Sequence, residues 1–556
     1  MSSSRSSGKA RESVGEWNAT TESISITDLR KKVKSLMDKL QFHSALFWAD
    51  KLVTLSKDKP SDVYLLASCL FHSRQFHRAA EAVKRRGLQN THLQCRFIAA
   101  LAYLESREHD LAMELVDMPS IKSDDTETLA ALEVVKGRLF ETLDDAQNAA
   151  ACYKTALTLD NCNYEALHLL VNHHMLSKEE EKEVLALVSR NEFTQTLYSS
   201  LLKKYDEPDE PRPVTLKGLE NNVDLLTNRA EKLFYSCDYR RCHELVNDIL
   251  ERDPFCPEAL EIQIACLMEL NKVCQLYILA HKLIDTYPEN VLSWYAVGCY
   301  YYLIRKAADA RKYLEKATTL KAAFGPAWLL YGHAYAVENE HDQAMAAYFK
   351  ANHLMPGNHL PTLYVGLEYQ HQASNKLAER FFEQARCIAP RDPFVIHELG
   401  VAAYESREYE KARDLFEQAL TIIQKAHHSA LPEKWEPLLN NLGHVYRKLR
   451  QLDRAVSFYQ QALVLSPFCP STLSNLGFAY SLQADWDRAV DHYHQALSLN
   501  RDDTFSTTML QNILEMMLSE KNLEDSHGDV MPPYKDQDHV AGASSSAVDL
   551  QEVAME

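Results

Sequence analysis

The stretch FGPAWLLYGHAYAVENEHDQAMAAYFKANHLMPGNHL, residues 324–360, contains two apolar segments of helical length that are separated by a short polar turn. Gly332 lies in the middle of the first segment, and Ala344 and Ala351 lie seven residues apart in the second. Glycine inside a helix costs about 1 kcal/mol relative to alanine. Because the same small residues recur at this spacing along the chain, we interpret the stretch as one unit of an internal repeat.

Glycines define the phase of the repeat, with a period of 34 residues that resumes after an insertion near 423–437. The phase glycines are Gly298, Gly332, Gly366, Gly400, Gly443 and Gly477. An alanine follows each glycine after twelve residues, at Ala310, Ala344, Ala378, Ala412, Ala455 and Ala489. A period of 34 with this order is typical of tetratricopeptide repeats, in which helix A and helix B form an antiparallel pair. We expect the glycine to allow close approach of helix A to helix B, with the alanine opposite it.

The repeat predicts an all-α fold, a tetratricopeptide superhelical solenoid of about thirteen helix-hairpin repeats, since weaker units extend the pattern toward the N-terminus. Composition and helix-breaking residues divide the chain into further parts. The predicted parts are a disordered leader (1–27), an N-terminal repeat array (28–205), a linker or bend containing DEPDEPRP (206–222), a C-terminal superhelix with a peptide-binding groove (223–519) and a disordered acidic tail (520–556).

Charge and motifs argue against several classes of function. The chain of 556 residues has 60 Lys and Arg against 78 Asp and Glu, a formal charge of −18, whereas nucleic-acid and anionic-membrane binding need a basic face. No apolar run reaches the roughly 18 residues of a membrane span. Phosphate-binding glycine loops, the HExxH and GxSxG motifs and metal-ligand spacings of Cys and His are also missing from the sequence. We therefore predict a protein without catalytic residues, cofactor or metal.

The remaining candidate site is the concave face of the superhelix, which helix A lines. The side chains three residues before, one after and four after each phase glycine are expected to point inward. Among the residues that this rule selects, the candidates for the groove are Tyr295, Tyr302, His333, Leu363, Leu367, Gln370, His397, Tyr404, Asn440, His444 and Arg447. Because Tyr, His and Asn outnumber Lys and Glu among them, they suit an extended or helical peptide. The alternative is that several of these side chains only pack against neighbouring helices.

Several segments are more specific than the generic repeat requires. They include LSWYAVGCYYYL (292–303), FGPAWLLYGHAYAVENEHDQAMAAY (324–348), HLPTLYVGLEY (359–369), APRDPFVIHELGV (389–401) and WEPLLNNLGHVYRKL (435–449). On these segments the chain closely resembles a family of tetratricopeptide scaffold subunits of the anaphase-promoting complex, or cyclosome, known as the subunit six or cell division cycle protein sixteen family. The resemblance covers roughly residues 28–515.

That resemblance implies a function that periodicity alone does not show. It implies a non-catalytic scaffold in a ubiquitin ligase that controls mitotic progression, located in the nucleus and cytoplasm and associated with the spindle during mitosis. It also implies a homodimer formed through the repeats at 28–205, and a groove that encloses the N-terminus of a small accessory subunit. The competing interpretation is an adaptor of the co-chaperone type that docks other peptides, but its clamp needs several cations and the inner positions offer chiefly Arg447.

Overall fold

The computed structural model describes residues 25–119, 125–188, 192–202, 204–205, 218–219, 221–426 and 431–522. Within these ranges the regular secondary structure is helical and no strand occurs, which confirms the predicted all-α tetratricopeptide solenoid. None of the described helices is both long and apolar enough to cross a membrane.

The described residues form a long series of helices. They are α1 (Ile26–Asp38), α2 (Phe42–Leu55), α3 (Pro60–His72), α4 (Phe76–Lys84), α5 (Leu93–Glu105), α6 (His109–Val116), α7 (Thr126–Thr142), α8 (Ala146–Leu159), α9 (Tyr164–Asn172), α10 (Lys178–Val188), α11 (Glu192–Leu202), α12 (Val223–Tyr235), α13 (Tyr239–Arg252), α14 (Pro257–Glu269), α15 (Val273–Thr286), α16 (Val291–Leu303), α17 (Ala307–Leu320), α18 (Gly325–Val337), α19 (His341–Leu354), α20 (His359–His371), α21 (Asn375–Ile388), α22 (Pro393–Glu405), α23 (Tyr409–Ala426), α24 (Glu436–Lys448), α25 (Leu452–Leu465), α26 (Pro470–Leu482), α27 (Trp486–Leu499) and α28 (Thr504–Asn522). Short 3-10 helices cover Leu88–Asn90 and Glu433–Trp435.

Two compact units make up the chain, residues 1–139 and 140–556. In the first unit, α1 to α6 pack around side chains such as Val33, Ala49 and Ala67, all of which are fully buried. In the second unit, the pairs α12/α13 to α26/α27 follow the predicted A-then-B order, and α28 stands after the last pair.

Each phase glycine lies against a large side chain of helix B. A Cβ atom on Gly366 would lie 2.5 Å from Cε1 of Phe382, and one on Gly400 would lie 2.6 Å from Cε1 of Phe416. The contacting side chain stands four residues after the repeat alanine and is 0–1 % exposed in every clear repeat: Leu314, Tyr348, Phe382, Phe416, Tyr459 and Tyr493. The glycines therefore make room chiefly for a ring edge, whereas the sequence led us to expect the alanine opposite them. Each of the six repeat alanines is itself fully buried.

The turn from helix A to helix B has the same backbone form in successive repeats. At Ala373, φ is +57°, and at Arg407 it is +65°. The N–H of Ala373 donates to the carbonyl of Gln370 (2.8 Å), and the next N–H donates to the carbonyl of Tyr369 (2.9 Å). These bonds use carbonyls that the end of helix A would otherwise leave without partners. The positive-φ residues of the later repeats are Cys237, Asn271, Arg305, Asn339, Ala373, Arg407, Arg450 and Ala484.

Residues that follow α9 and α11 contact much later repeats of the second unit. The N–H of Gly357 donates to the carbonyl of His174 at 2.6 Å, and the hydroxyl of Tyr205 donates to the carbonyl of Gly357 at 3.3 Å. Nζ of Lys321 lies 3.1 Å from Nε2 of His173. The solenoid of this unit thus curls back until residues some 150–180 positions apart touch.

Some boundaries differ from the sequence-based ones. Helix α1 begins at Ile26, inside the predicted leader, and α28 continues to Asn522, inside the predicted tail. Residues 1–24 and 523–556, the rest of those two parts, lie outside the described residues. The compact units divide within α7, at 139/140. The predicted bend at 206–222 lies largely outside the described residues, which include only 218–219 and 221–222 of it, and it stays a prediction. The contacts of His174 and Tyr205 with Gly357 tie this part of the chain to the C-terminal repeats.

Candidate peptide groove

The eleven predicted groove residues all lie on A helices, from α16 to α24. Helix A of each repeat is anchored by its phase glycine against the helix B ring, which fixes its rotation. Residues at the same phase in successive repeats therefore form columns. The structure brings some of the eleven side chains into direct contact and separates others.

Tyr302 and His333 belong to one aromatic cluster. Nδ1 of His333 lies 2.8 Å from the hydroxyl of Tyr348, and its ring stands edge-on to Tyr364 at 4.2 Å between centroids. The Tyr302 ring lies 6.1 Å from that of His333. Burial lowers the pKa of His333 to about 3, so the imidazole is neutral at physiological pH. The cluster therefore offers aromatic surface and neutral hydrogen-bonding groups to a ligand.

Tyr295, Leu363 and Leu367 are largely withdrawn from solvent. Tyr295 is 5 % exposed, and its ring stands edge-on to Phe324 at 5.4 Å. Burial holds the pKa of the Tyr295 hydroxyl well above its usual range. Leu363 and Leu367 are 3 % and 6 % exposed and belong to the largest hydrophobic cluster. The three side chains contribute to packing between helices, the alternative that the sequence left open.

His397, Gln370 and Tyr404 join polar pairs between neighbouring repeats. His397 is fully buried, with Nδ1 3.0 Å from Oε1 of Glu398 and Nε2 3.0 Å from Nδ2 of Asn441. Nε2 of Gln370 donates to Oε1 of Glu405 at 3.1 Å. The Tyr404 ring is 6.5 Å from that of His444. These bonds connect α20 with α22, and α22 with α24.

Helix α24 carries the most polar part of the site, with Asn440, His444 and Arg447 on one face. All three are buried, at 5 %, 2 % and 3 % exposure. The amide of Asn475 donates to Oδ1 of Asn440 at 3.3 Å, and Nδ1 of His444 lies 3.1 Å from the hydroxyl of Tyr459. The guanidinium of Arg447 stands 4.8 Å above the ring centroid of Phe478. A buried amide, imidazole and cation in one place can bind the carbonyl groups of a peptide backbone.

A further column of the site was missed in the sequence. It stands two residues before the phase glycine and contains Tyr364, Glu398, Asn441 and Asn475. Each of the four contacts a predicted residue: Tyr364 meets His333, Glu398 and Asn441 meet His397, and Asn475 meets Asn440. The recurrence of polar and aromatic residues at this one phase was a signal that the three-position rule did not use.

Among the described residues no group of three or more His, Cys, Asp or Glu side chains could hold a metal ion. The fold and its repeating helix pairs define a class: a tetratricopeptide repeat protein. Comparison with known proteins identifies the family within this class. A family model for "Anaphase-promoting complex, cyclosome, subunit 3" matches residues 38–118, and tetratricopeptide repeat models match 134–161, 395–427 and 436–502.

Full-length relatives give the family. The mouse "Cell division cycle protein 16 homolog" is 44% identical over 529 residues, which cover 89% of this chain and 85% of that protein. "Anaphase-promoting complex subunit 6" of Arabidopsis thaliana is 38% identical, over 87% and 96% of the two chains. The crystal structure of the "APC/C hetero-tetramer Cut9-Hcn1" matches with a TM-score of 0.77 at 28% identity, over 88% and 97%. The chain belongs to the family of cell division cycle protein 16 and anaphase-promoting complex subunit 6, as its sequence segments predicted.

Proposed function

We propose that this chain is a non-catalytic scaffold subunit of the anaphase-promoting complex, a ubiquitin ligase that controls mitotic progression. "Anaphase-promoting complex subunit 6" of Arabidopsis thaliana, a relative named for that complex and matched over more than four fifths of both chains, carries the proposal. Affinity purification of the tagged full chain from dividing cells, followed by mass spectrometry, tests it. Recovery of other subunits of the complex supports the assignment, and their absence from a purification that yields the folded chain refutes it.

The groove binds the N-terminal peptide of a small accessory subunit in this proposal. The supporting observation is the buried polar face of α24, where Asn440 and His444 offer an amide and an imidazole beside the Arg447 guanidinium. A hetero-tetramer of the related Cut9 with Hcn1 also supports it. Burial of a peptide against such groups gains hydrogen bonds that solvent no longer competes for.

The test is the double variant Asn440→Ala, His444→Ala. We expect the accessory subunit to be lost from the purified complex while the helical circular dichroism remains. The matched control is Gln460→Ala, which removes a hydrogen bond of 3.0 Å to the Tyr480 hydroxyl at a position outside the predicted groove. Retention of the accessory subunit by a folded double variant would show that the peptide binds elsewhere.

Homodimerisation through the N-terminal repeats is the second part of the proposal. In the first unit, α2 and the turn before it expose large apolar side chains: Leu40 is 74 %, Phe47 56 % and Leu55 50 % exposed. Exposed apolar surface of this kind is typical of an interface. Phe47→Glu is expected to shift sedimentation from dimer to monomer, while Val464→Glu, at a residue 79 % exposed in α25, leaves the dimer intact. An unchanged mass for Phe47→Glu would move the interface away from α2.

Location in the nucleus and cytoplasm, with spindle association during mitosis, belongs to the same proposal and follows from membership of the complex. Fluorescence microscopy of the tagged chain through the cell cycle tests it. Exclusion from both the nucleus and the spindle at every stage would contradict it.

A further inference from the structure

The insertion between α23 and α24 places two side chains where the regular repeat has only a short turn. Phase glycines are 34 residues apart elsewhere among the clear repeats, but Gly400 and Gly443 are separated by 43. Part of the extra length extends α23 to 18 residues, and residues 431–435 form a turn and a 3-10 helix before α24. Trp435 is 2 % exposed and packs on Phe394, with 4.4 Å between ring centroids.

Lys434, next to that tryptophan, reaches residues far back in the chain. Its Nζ lies 2.5 Å from Oε2 of Glu269, at the end of α14 and 165 positions earlier. The ammonium also stands 4.5 Å above the ring of Tyr239 and 4.4 Å above that of Phe394. The ion pair is partly shielded, since Lys434 is 26 % and Glu269 30 % exposed. One cation thus connects α13, α14 and α22.

The contact belongs to a larger line of contacts that we call the seam. Lys434 stands nine residues before its phase glycine, and so does Gly357. Gly357 donates to the carbonyl of His174, in the turn after α9, just as Lys434 pairs with the last residue of α14. At the seam, turns that precede A helices of later repeats contact turns that follow earlier helices. The Gly357 contact is made by backbone atoms, while the Lys434 contact is made by a flexible side chain.

We propose that Lys434 is a latch: it holds the start of α24 against α13 and α14, and its release opens the seam at this point. Lys434 lies close to the polar part of the groove. Asn440, His444 and Arg447 of α24 follow it by six to thirteen residues. Movement of the start of α24 away from α14 widens the groove where the peptide binds. The latch therefore controls how fast a peptide enters and leaves. This last statement rests on the proposed function, while the latch itself does not.

Hydrogen–deuterium exchange of the full-length, ligand-free chain tests the latch directly. Lys434→Ala is expected to raise exchange about tenfold in the last turn of α14 and the first turn of α24, whereas Lys434→Arg, which keeps both the ion pair and the ring contacts, leaves exchange as in the wild type. The control is Lys411→Ala, which removes a pair with Glu379 of 3.2 Å between well-exposed groups. Wild-type exchange in a folded Lys434→Ala variant overturns the proposal.

Stopped-flow binding of fluorescently labelled Hcn1 to the same variants tests the control of entry. A latch changes a barrier and not a contact, so association and dissociation should both become about fivefold faster in Lys434→Ala, with nearly unchanged Kd. An increase in the dissociation rate alone would identify Lys434 as a peptide contact and overturn the latch. If wild-type chain binds no Hcn1, the proposed peptide groove fails, while the exchange experiment still decides whether the latch exists.

Discussion

Alanine substitution at two phase glycines should have opposite effects on stability, although the chemical change is identical. At Gly366 the new methyl group would lie 2.5 Å and 2.7 Å from two ring carbons of Phe382, which is fully buried. Carbon atoms pack at about 3.5–4.0 Å. The ring or the helix must therefore move by about 1 Å within a close-packed interior.

The magnitude follows from two opposing contributions. Overpacking a core typically costs about 1–3 kcal/mol, and replacement of a helical glycine by alanine gains about 1 kcal/mol. Gly366→Ala should therefore destabilise its hairpin by up to about 2 kcal/mol, and Gly366→Leu, which adds three more carbons, by several kcal/mol. At Gly477 the methyl group would stay 3.2 Å from the Tyr493 ring and 3.3 Å from the carbonyl oxygen of Ala489, so a shift of a few tenths of an ångström suffices. There the gain in helix propensity dominates, and we expect a neutral or stabilising effect of up to about 1 kcal/mol.

Native-state hydrogen exchange measures both effects locally, because the free energy of opening can be read for each hairpin separately. The relevant amides lie in α20 and α21 for Gly366, and in α26 and α27 for Gly477. The Gly477→Ala variant is the matched control for Gly366→Ala. Equal opening free energies in wild type and Gly366→Ala, or a larger loss at Gly477 than at Gly366, would refute the argument that ring contact determines these positions.

Three further predictions concern titratable side chains. Glu261→Gln should stabilise the protein more at pH 8 than at pH 5: burial beside Glu231 raises the Glu261 pKa to about 7, so the stability from its neutral form is complete below about pH 4.5 and is lost as pH rises through 7. Thermal melts across that range check it, and a pH-independent difference would contradict it. His333→Gln should reduce acid sensitivity, because the folded-state pKa of about 3 is below the ordinary 6.5 and stability is lost as pH falls from 6.5 toward 3; imidazole NMR of the wild type should show no titration of this residue above pH 5. Tyr459→Phe keeps the ring under Gly443 but removes the hydroxyl 3.1 Å from His444, so it should cost about 1 kcal/mol in local exchange and weaken retention of the accessory subunit; unchanged values for both would show that the bond does not position His444.

The repeat architecture was predictable because its signal is local and recurs. Six glycines at one phase implied a close helix contact, and the structure shows that contact at Gly366 and Gly400. The partner of that contact was not identified, since the side chain four residues after the alanine varies among Leu, Tyr and Phe. The eleven groove residues came from a rule for an ideal repeat, and their role in binding stays a prediction. Their polar neighbours such as Asn441 and Asn475 were not found because the rule tested three phases only.

Contacts between distant repeats could not be inferred from the sequence at all. The pair Lys434–Glu269 depends on how far the solenoid turns over 165 residues, which is the sum of many small rotations between repeats. The same curvature joins residues 140–205 to the later repeats and places the division between compact units at 139/140. A periodic sequence predicts the structure of a single repeat well, but it predicts the summed rotation over many repeats poorly.

The positive-φ residue that ends each A helix has a consequence for engineering. None of the eight turns from Cys237 to Ala484 uses glycine, and an L-residue in this conformation costs about 1 kcal/mol or more. Repeat proteins add up the stabilities of their units and interfaces, so the cost recurs once per hairpin. Glycine at Ala373 and Ala484, where only a methyl group is lost, would raise thermal tolerance in two independent increments. Substitutions at these turns could thus stabilise the chain without altering the groove or the latch.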